Sequence, residues 1–377
     1  MRLLYGDSGK LRELCKQLTD ALRQQIRSSG SISQPALRRL DALIDDGTTF
    51  AFVHVRRLQA ENALPVRVWD SDPDAPLRSV LRLPGTTTAE ELWDRAIKPH
   101  LPCVVSGAFP GLVALASPES LASAYGNHRV PARRRFRADE SGRRVFTEQP
   151  SDTQQSNYVH FGDWVRDAAA SADPAAVRRA KEAYPAKTPL RSRLPELEKE
   201  LMARADTPLG KYGSCVGRMT EDGIYMYAGA GENTTHTHID PAENFMFVAA
   251  GRKTLQLFPP SDYQFLYPYP APKYHSSAIP PFTKTSSPPP EFPAYGYSHP
   301  IEVTLEAGDM LYLPAFWYHC VHGPDGFNLI FAWWTEIHAN KRDDAPPGLP
   351  FEPSRPDYEA SATGAGLLSK GAMDDLP

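Results

Sequence analysis

Short apolar runs bounded by glycine and proline mark the middle of the chain as rich in strands. One run covers residues 244–249, and after Gly251 a second covers 253–258 and ends at the prolines 259–260. Runs of this length with such boundaries are typical of β-strands. We therefore predict two strands joined at Gly251 as a hairpin, and we expect the β-rich part proper to begin near 214–227.

Helical spacing dominates the earlier part of the chain. Apolar residues recur three and four positions apart between residues 10 and 44, which predicts two amphipathic helices. Thr88 precedes two acidic residues, a typical helix start, and a short apolar strand is predicted over 102–107. The stretch 158–170 is predicted to be a strand leading into a helix, and 175–184 a further helix or charged connector.

Changes in proline, glycine and charge content divide the chain into three parts. We predict an N-terminal helical segment and linker over 1–85, a central domain over 86–340 and a flexible tail over 341–377. The central domain contains an insert at 261–300 that is rich in proline, tyrosine and serine. Long loops within compact domains are uncommon and often functional, and the alternative is a loose surface loop.

Composition narrows the class of protein. The 377 residues are 41% hydrophobic and 23% charged, which fits one large globular domain with appendages, or two domains. A formal charge of -4 argues against nucleic-acid binding through the overall field. We expect no membrane partner and an intracellular location, in cytoplasm or nucleus, because membrane-spanning runs and a secretory signal pattern are lacking. The four cysteines are widely spread and indicate neither disulfides nor a zinc site.

One stretch is strongly basic. Its arginines either form an electrostatic footprint for RNA or an acidic peptide, or decorate a hairpin that turns at 141–142 and protects an edge strand. We favour the hairpin. The residues concerned are Arg129, Arg133, Arg134, Arg135, Arg137, Arg143 and Arg144.

A metal site is the main candidate chemistry. His238 and Asp240 stand two apart, so on a strand both project to one side, roughly 6 to 7 Å apart. Such a pair arises easily by chance, but a distant histidine, His319, could complete the two-histidine, one-carboxylate triad that suits Fe(II). His322 lies three residues further and faces the opposite side of a strand. Cys320 is interpreted as a packing thiol.

The neighbouring residues resemble those of the JmjC or cupin-like 2-oxoglutarate oxygenases over about residues 86–340. In that family a threonine three before the first ligand, an asparagine six after it and a lysine fifteen after it line the cosubstrate pocket. Here these positions hold Thr235, Asn244 and Lys253. The stretch 308–319 matches the family pattern Gly-Asp-x-Leu-Tyr-x-Pro, followed by aromatic residues and the distal histidine. The resemblance is greatest to the branch with the hypoxia asparaginyl hydroxylase, lysyl hydroxylases and a tRNA wybutosine hydroxylase.

The resemblance implies a mainly β fold, the double-stranded β-helix or cupin-like jelly roll, with N-terminal and flanking helices. It implies Fe(II), 2-oxoglutarate and molecular oxygen, with Lys253 pairing with the far carboxylate of 2-oxoglutarate. It leaves His236 beside the ligands or at the mouth of the site. The last strand has Ala332 where the asparaginyl hydroxylase has an asparagine. The implied metal and catalytic residues are His238, Asp240 and His319; the implied cosubstrate residues are Thr235, Asn244, Lys253 and either Tyr225 or Tyr227.

The function implied by the resemblance is hydroxylation of a protein side chain. Two alternatives are kept: a hydroxylase of modified tRNA, which the basic stretch would favour, and a non-catalytic cupin-like binding protein. The sequence does not decide between hydroxylation and demethylation. The N-terminal helices could form a homodimer, as flanking helices do in the family.

Overall fold

The computed structural model describes residues 79–132, 136–139, 142–146, 157–213, 215–240, 242–268, 276–290, 292–324 and 326–336. The helices predicted between 10 and 44 and the tail at 341–377 lie outside these ranges. The division of the chain at residues 85 and 340 stays a prediction. No helix in the described ranges combines the length and the apolar character needed to cross a bilayer.

The larger of two main sheets has seven strands. Its neighbours are antiparallel except for the first two strands, which are parallel. In spatial order the strands are β1 (Leu81–Pro84), β2 (Cys103–Ser106), β13 (Asp309–Leu313), β10 (Glu243–Ala250), β15 (Asn328–Thr335), β8 (Met219–Gly229) and β7 (Thr188–Pro189).

The smaller main sheet has six strands and contains two of the candidate site residues, Lys253 and His319. In spatial order they are β12 (Ile301–Glu306), β11 (Arg252–Phe258), β14 (Tyr318–Gly323), β9 (Asn233–Thr234), β5 (Arg144–Phe146) and β4 (Phe136–Ala138). A separate antiparallel pair is formed by β3 (Arg129–Ala132) and β6 (Asn157–His160).

Helices that precede β8 in the chain flank the sheets. Thr88 caps the first helix with a capping box: its hydroxyl accepts from Glu91 N at 3.2 Å, and the Glu91 carboxylate accepts from Thr88 N at 2.8 Å, as predicted. The helices are α1 (Ala89–Leu92, continued by a π-helical turn at Trp93–Ile97), α2 (Pro110–Leu115), α3 (Pro118–Tyr125), α4 (Phe161–Ala169), α5 (Pro174–Lys181), α6 (Leu190–Arg193), α7 (Pro195–Ala203) and α8 (Pro208–Tyr212). The strand and helix predicted over 158–170 and the helix within 175–184 are confirmed.

Two apolar layers explain why these strands lack simple alternation. One core lies between the sheets and joins Met246 and Val248 of β10 to Leu255 and Leu257 of β11. The other covers the opposite face of the seven-stranded sheet with helical residues. Because β10 and β15 are buried on both faces, their sequences are nearly continuous apolar runs. The predicted mainly β, cupin-like jelly roll is confirmed.

The predicted hairpin across Gly251 is wrong. β10 pairs with β13 and β15, whereas β11 pairs with β12 and β14, so the chain passes from one sheet to the other at this residue. A tight hairpin normally needs a two-residue turn, and only Gly251 separates these strands. Its φ of +71° is available to glycine at little cost, which allows the abrupt change of direction.

The described parts of the proline-rich insert pack against the residues around the two main sheets. It contains 3₁₀ helices at Pro260–Phe265 and Pro293–Tyr297. The buried Asp262 carboxylate accepts hydrogen bonds from His299 N and lies 3.0 Å from His299 Nδ1, which ties the two ends of the insert together. A third apolar cluster joins the insert to the rest of the domain through Ile239, Phe258, Tyr263, Leu266, Ile279, Phe292, Tyr295, Ala315, Phe316 and Tyr318.

The basic stretch forms the predicted hairpin where the structure describes it. β4 and β5 are antiparallel, Gly142 takes a φ of +77° in the turn, and β4 is the edge of its sheet. Arg143 donates to Pro281 O at 2.8 Å, and Arg144 donates to Lys181 O at 3.1 Å. These two guanidinium groups therefore bind other parts of the protein. Arg133, Arg134 and Arg135 lie outside the described residues.

Candidate metal centre and adjoining pocket

Three side chains converge on one point between the sheets. His238, Asp240 and His319 each offer a ligand atom within 4.8 Å of the others. His238 Nε2 lies 3.9 Å from Asp240 Oδ1, and His319 Nε2 lies 3.5 Å from Asp240 Oδ2. Asp240 and His319 are buried and His238 is half-buried, so the group is largely shielded from solvent.

The first two ligands lie on an extended segment after β9, not on a regular strand as predicted. The ladder between β9 and β14 is interrupted because Val321 N donates to the Thr235 hydroxyl at 2.9 Å, where a backbone carbonyl would continue it. Pairing resumes as an isolated bridge: His238 N donates to His319 O at 2.9 Å, and His319 N to His238 O at 2.8 Å. Two ligand residues thus hold each other's backbone in place.

Hydrogen bonds to carbonyl oxygens fix the tautomers of both histidines. His238 Nδ1 lies 2.8 Å from His236 O, and His319 Nδ1 lies 3.0 Å from Trp317 O. A carbonyl oxygen only accepts, so each Nδ1 carries the proton and each Nε2 keeps a lone pair. Both Nε2 atoms face Asp240. Two imidazoles and a carboxylate, oriented by such outer contacts, form a donor set that fits a divalent transition metal.

A pocket extends from this group between the two sheets. Of the predicted cosubstrate residues, Thr235, Asn244, Lys253 and Tyr227 line it. The other lining residues are Phe146, Tyr184, Ala186, Lys187, Asn233, His236, His238, Asp240, Met246, His319, Val321, Ile330 and Trp334. The structure therefore brings the predicted ligands and most of the predicted cosubstrate residues to one cavity.

Tyr225 is the predicted residue that the structure does not bring to this pocket. Its ring packs on Trp334 at a centroid distance of 4.9 Å, in a small cluster with Ala242 and Ala332. Tyr227, two residues further along β8 and paired with Ile330, lines the cavity instead. Of the two tyrosines between which the sequence left the choice open, Tyr227 is the one that lines the cavity.

A buried lysine stands at the other end of the pocket. The Lys253 side chain is 1% exposed, and burial lowers its pKa from 10.5 to about 7. Within the described ranges its ammonium has no hydrogen bond and no ion pair. Asn244, also buried, has an Oδ1 without a partner there. Buried polar groups are normally satisfied, so these two groups are available to a polar ligand in the cavity.

The competing residues have other contacts. His322 lies on the opposite face of β14, as predicted, with its Nδ1 2.9 Å from the Thr234 hydroxyl. His236 lines the pocket, and its Nε2 is 3.0 Å from the Ser276 hydroxyl of the insert. Cys320 is fully buried, and burial raises the pKa of its thiol to about 12, as expected for a packing residue.

Trp334 and Asn233 are among the pocket residues that the sequence analysis missed. Trp334 lies two residues beyond Ala332 on the same face of β15, and its buried Nε1 has no partner in the described ranges. Asn233 lies two residues before Thr235 and lines the same cavity. In both cases the alternation of side chains along an extended chain was the signal, since residues two apart share a face.

Comparison with known proteins bears on this site. A sequence profile described as "Cupin-like domain" matches residues 89–340, which contain all the ligands and all the lining residues. HSPB1-associated protein 1 of Homo sapiens is 32% identical over 125 residues, which is 32% of this chain and 25% of that protein. Lysine-specific demethylase 8 of Danio rerio is 30% identical over 125 residues, or 32% of this chain and 30% of that protein.

The similarity reaches plants as well. Lysine-specific demethylase JMJ31 of Arabidopsis thaliana is 32% identical over 116 residues, which cover 29% of this chain and 20% of that protein. The matched part of this chain spans about a quarter of the length of these curated relatives.

Proposed function

The chain belongs to the cupin-like domain family, and from that premise we propose that it is an Fe(II)- and 2-oxoglutarate-dependent oxygenase that hydroxylates a protein side chain. The observation that carries the proposal is one pocket with two chemically different ends. At one end are two imidazole Nε2 lone pairs and the Asp240 carboxylate. At the other is Lys253, a buried cation with no counter-ion among the described residues.

The metal role is assigned to His238, Asp240 and His319. Their donor set fits Fe(II), and these three residues would hold the ion with positions left for small ligands. When bound, Fe(II) with 2-oxoglutarate and O₂ supplies the oxidising chemistry: 2-oxoglutarate becomes succinate and CO₂, and one oxygen atom enters the prime substrate. The His236 and Trp317 carbonyls keep the ligand imidazoles in the required tautomer throughout.

The remaining pocket residues bind and orient the cosubstrate. Lys253 would donate to the far carboxylate of 2-oxoglutarate, which would give the buried ammonium a partner. Asn244 and Tyr227 line the same pocket. Apolar residues such as Met246 and Ile330 limit the access of water, which strengthens these charge interactions.

A protein substrate is favoured by the surroundings of the metal end. The insert reaches the ligands directly: Ser276 forms a backbone bridge with His238 and bonds His236. A segment packed at this point is suited to hold a substrate chain. Two of the relatives are named lysine-specific demethylases, so removal of a methyl group, which begins with the same oxygen insertion, is the competing outcome.

The tRNA alternative receives less support. Arg143 and Arg144 of the basic stretch bind carbonyl oxygens of the protein and stack on Phe282 and Phe136. An intracellular location, in cytoplasm or nucleus, is part of the proposal. It is supported by three buried free thiols, at Cys103, Cys215 and Cys320, since reduced cysteines are usual in those compartments. Homodimer formation stays a prediction.

Turnover of a peptide library and of tRNA tests the proposal. Protein with Fe(II), 2-oxoglutarate and O₂ is expected to produce succinate together with a peptide product heavier by one oxygen atom. Loss of a methyl group instead would reassign it as a demethylase, and a heavier tRNA would support the alternative substrate. Absence of 2-oxoglutarate binding to the metal-loaded protein would exclude the oxygenase and leave a non-catalytic cupin-like binding protein.

A further inference from the structure

The end of the pocket opposite the metal ligands contains, besides Lys253, a buried polar side chain that has no assigned role. Asn233 of β9 is 5% exposed and lines the cavity, and its Oδ1 has no partner in the part of the chain that the structure describes. An unsatisfied buried amide oxygen is energetically unfavourable, so its position in a packed sheet needs an explanation. The neighbouring strands supply one.

Three adjacent strands bring Asn233 to Lys253. Asn233 pairs with Gly323 of β14, and Lys253 of β11 stands one residue beyond the paired residues Thr254 and His322. The three residues therefore form one rung across the sheet. His319 is four residues away from Gly323 along β14, roughly 13 Å of extended chain. This rung is accordingly the end of the pocket opposite the metal ligands.

Gly323 makes room for the two polar groups. A β-carbon at this residue would lie 2.6 Å from Asn233 Oδ1 and 2.7 Å from Lys253 Nζ, closer than such contacts are found. A β-carbon at Gly229 of β8 would likewise lie 2.8 Å from Asn233 Oδ1, and 2.7 Å from Asn328 Oδ1. The amide and the ammonium thus converge on the same small space, which any larger residue at 323 would fill.

The chemistry of this space selects an anion with two oxygens. Lys253 offers N–H donors, and rotation of the Asn233 amide about its last bond exchanges Oδ1 for Nδ2 and offers another. We propose that Asn233 is a cosubstrate-binding residue that acts with Lys253, each donating a hydrogen bond to the far carboxylate of a 2-oxo dicarboxylic acid. The inference rests on the proposed function and adds to it a residue that selects acids with a second carboxylate.

Binding of two acids to Mn(II)-loaded protein, measured by calorimetry, tests the inference without turnover. The acids are 2-oxoglutarate and 2-oxopentanoate, which has the same chain length but no far carboxylate. Asn233→Ala is expected to weaken 2-oxoglutarate roughly ten- to hundredfold, the range for a hydrogen bond to a charged group. Affinity for 2-oxopentanoate and for Mn(II) is expected to stay within about twofold of the parent.

A second variant and a control distinguish the loss of a binding contact from the loss of folding. Asn233→Asp has nearly the same shape, and its carboxylate pairs with Lys253 and repels 2-oxoglutarate, so the loss is expected to exceed that of the alanine variant. Thr234→Ala is the matched control because the Thr234 hydroxyl bonds His322 on the opposite face. Its affinity for both acids is expected to equal that of the parent.

The outcomes separate this inference from the proposed function. If the parent binds 2-oxoglutarate and both Asn233 variants bind it as tightly, the inference is wrong and the oxygenase proposal survives. An equal loss for both acids also overturns it, because that result assigns Asn233 a structural role. If the Mn(II)-loaded parent binds no 2-oxoglutarate, the proposed function fails and this inference fails with it.

Discussion

The two ends of the pocket differ in how fully their polar groups are satisfied. At the metal end, both ligand imidazoles already donate to backbone carbonyls, and the two ligand residues are joined by a pair of backbone hydrogen bonds. At the other end, Lys253 and Asn233 are buried with groups that have no partner among the described residues. The first end is oriented before anything binds, whereas the second depends on the ligand to complete it.

This contrast predicts separable effects of mutation. Changes at the metal end should alter metal binding and everything that depends on it. Changes at the Lys253 end should alter the affinity for the dicarboxylate and leave the metal in place. A structure in which both ends served only packing would show neither pattern, because losses would then follow stability alone.

The largest effect is expected for Asp240→Ala. Loss of the only carboxylate among the three ligands should lower Fe(II) or Mn(II) affinity by more than about a hundredfold, since even outer contacts to ligands are worth 10- to 100-fold. Metal content after dialysis is the measurement, with melting temperature as the check on folding. Asp163→Ala, which removes an exposed carboxylate of α4, should keep the parent's metal content. A folded Asp240→Ala protein that retains its metal would remove the triad assignment.

The second-largest effect is expected for Lys253→Ala. Truncation should weaken 2-oxoglutarate by roughly 2 to 5 kcal/mol, the range for losing one partner of a buried charged pair, while metal content stays that of the parent. Calorimetric titration of the metal-loaded protein measures it. Arg252→Ala is the matched control on the same strand, because Arg252 is exposed and forms only a surface ion pair with Glu306. Unchanged 2-oxoglutarate affinity in the lysine variant would disprove the proposed role.

A pH dependence of cosubstrate affinity should follow from the same lysine. Burial lowers the pKa of Lys253 to about 7, and only the ammonium form pairs with a carboxylate. Affinity for 2-oxoglutarate should therefore be highest below pH 7 and fall by up to about tenfold per pH unit above it. Binding at pH 8 should take up a proton, detectable in buffers of different ionisation enthalpy. Lys253→Met should abolish both effects.

The stability of the ligand-free protein should change in the opposite direction. The pKa of Lys253 in the folded chain lies below its unfolded value of 10.5, so the unfolded chain binds more protons between about pH 7 and 10.5. The contribution of this group to the free energy of unfolding therefore rises with pH across that window and is lost as pH falls towards 7. A comparison of parent and Lys253→Met denaturation at pH 7 and 9 isolates it.

Asp262→Ala is expected to have the smallest effect on metal binding and on 2-oxoglutarate binding. This change leaves His299 N without its buried acceptor and should loosen the insert at a cost of about 1–3 kcal/mol. Metal content and 2-oxoglutarate affinity should remain those of the parent, whereas the KM for a peptide substrate should rise. Limited proteolysis within 261–300 is the independent measurement. Equal losses at both ends of the pocket would show that the insert supports the pocket itself.

The sequence was most informative where spacing along an extended chain is rigid. The two-residue separation of His238 and Asp240 and the offsets to Thr235, Asn244 and Lys253 led to residues that the structure collects in one pocket. The strand pairing across Gly251 was missed because local patterns report burial and direction but not the sheet that a strand joins. That choice is made by the second apolar layer, which consists of distant residues.

Asn233 and the distinction between Tyr225 and Tyr227 were beyond the sequence for a related reason. Adjacent positions on one face of a strand look equivalent until the neighbouring ring is known, and here Trp334 packs on Tyr225. The convergence of Asn233 with Lys253 depends on the absence of a side chain at Gly323, ninety residues away in the chain. Such contacts become visible only when the strands are assembled.

Conversion of 2-oxoglutarate to succinate by the purified protein tests the central claim most directly. Parent protein with Fe(II) and O₂ is expected to form succinate, at a rate that a peptide substrate increases, and Asp240→Ala under the same conditions is expected to form none above the protein-free background. Succinate formation by the folded Asp240→Ala variant at the parent's rate would contradict the account. So would a parent that binds metal but forms no succinate with any substrate tested.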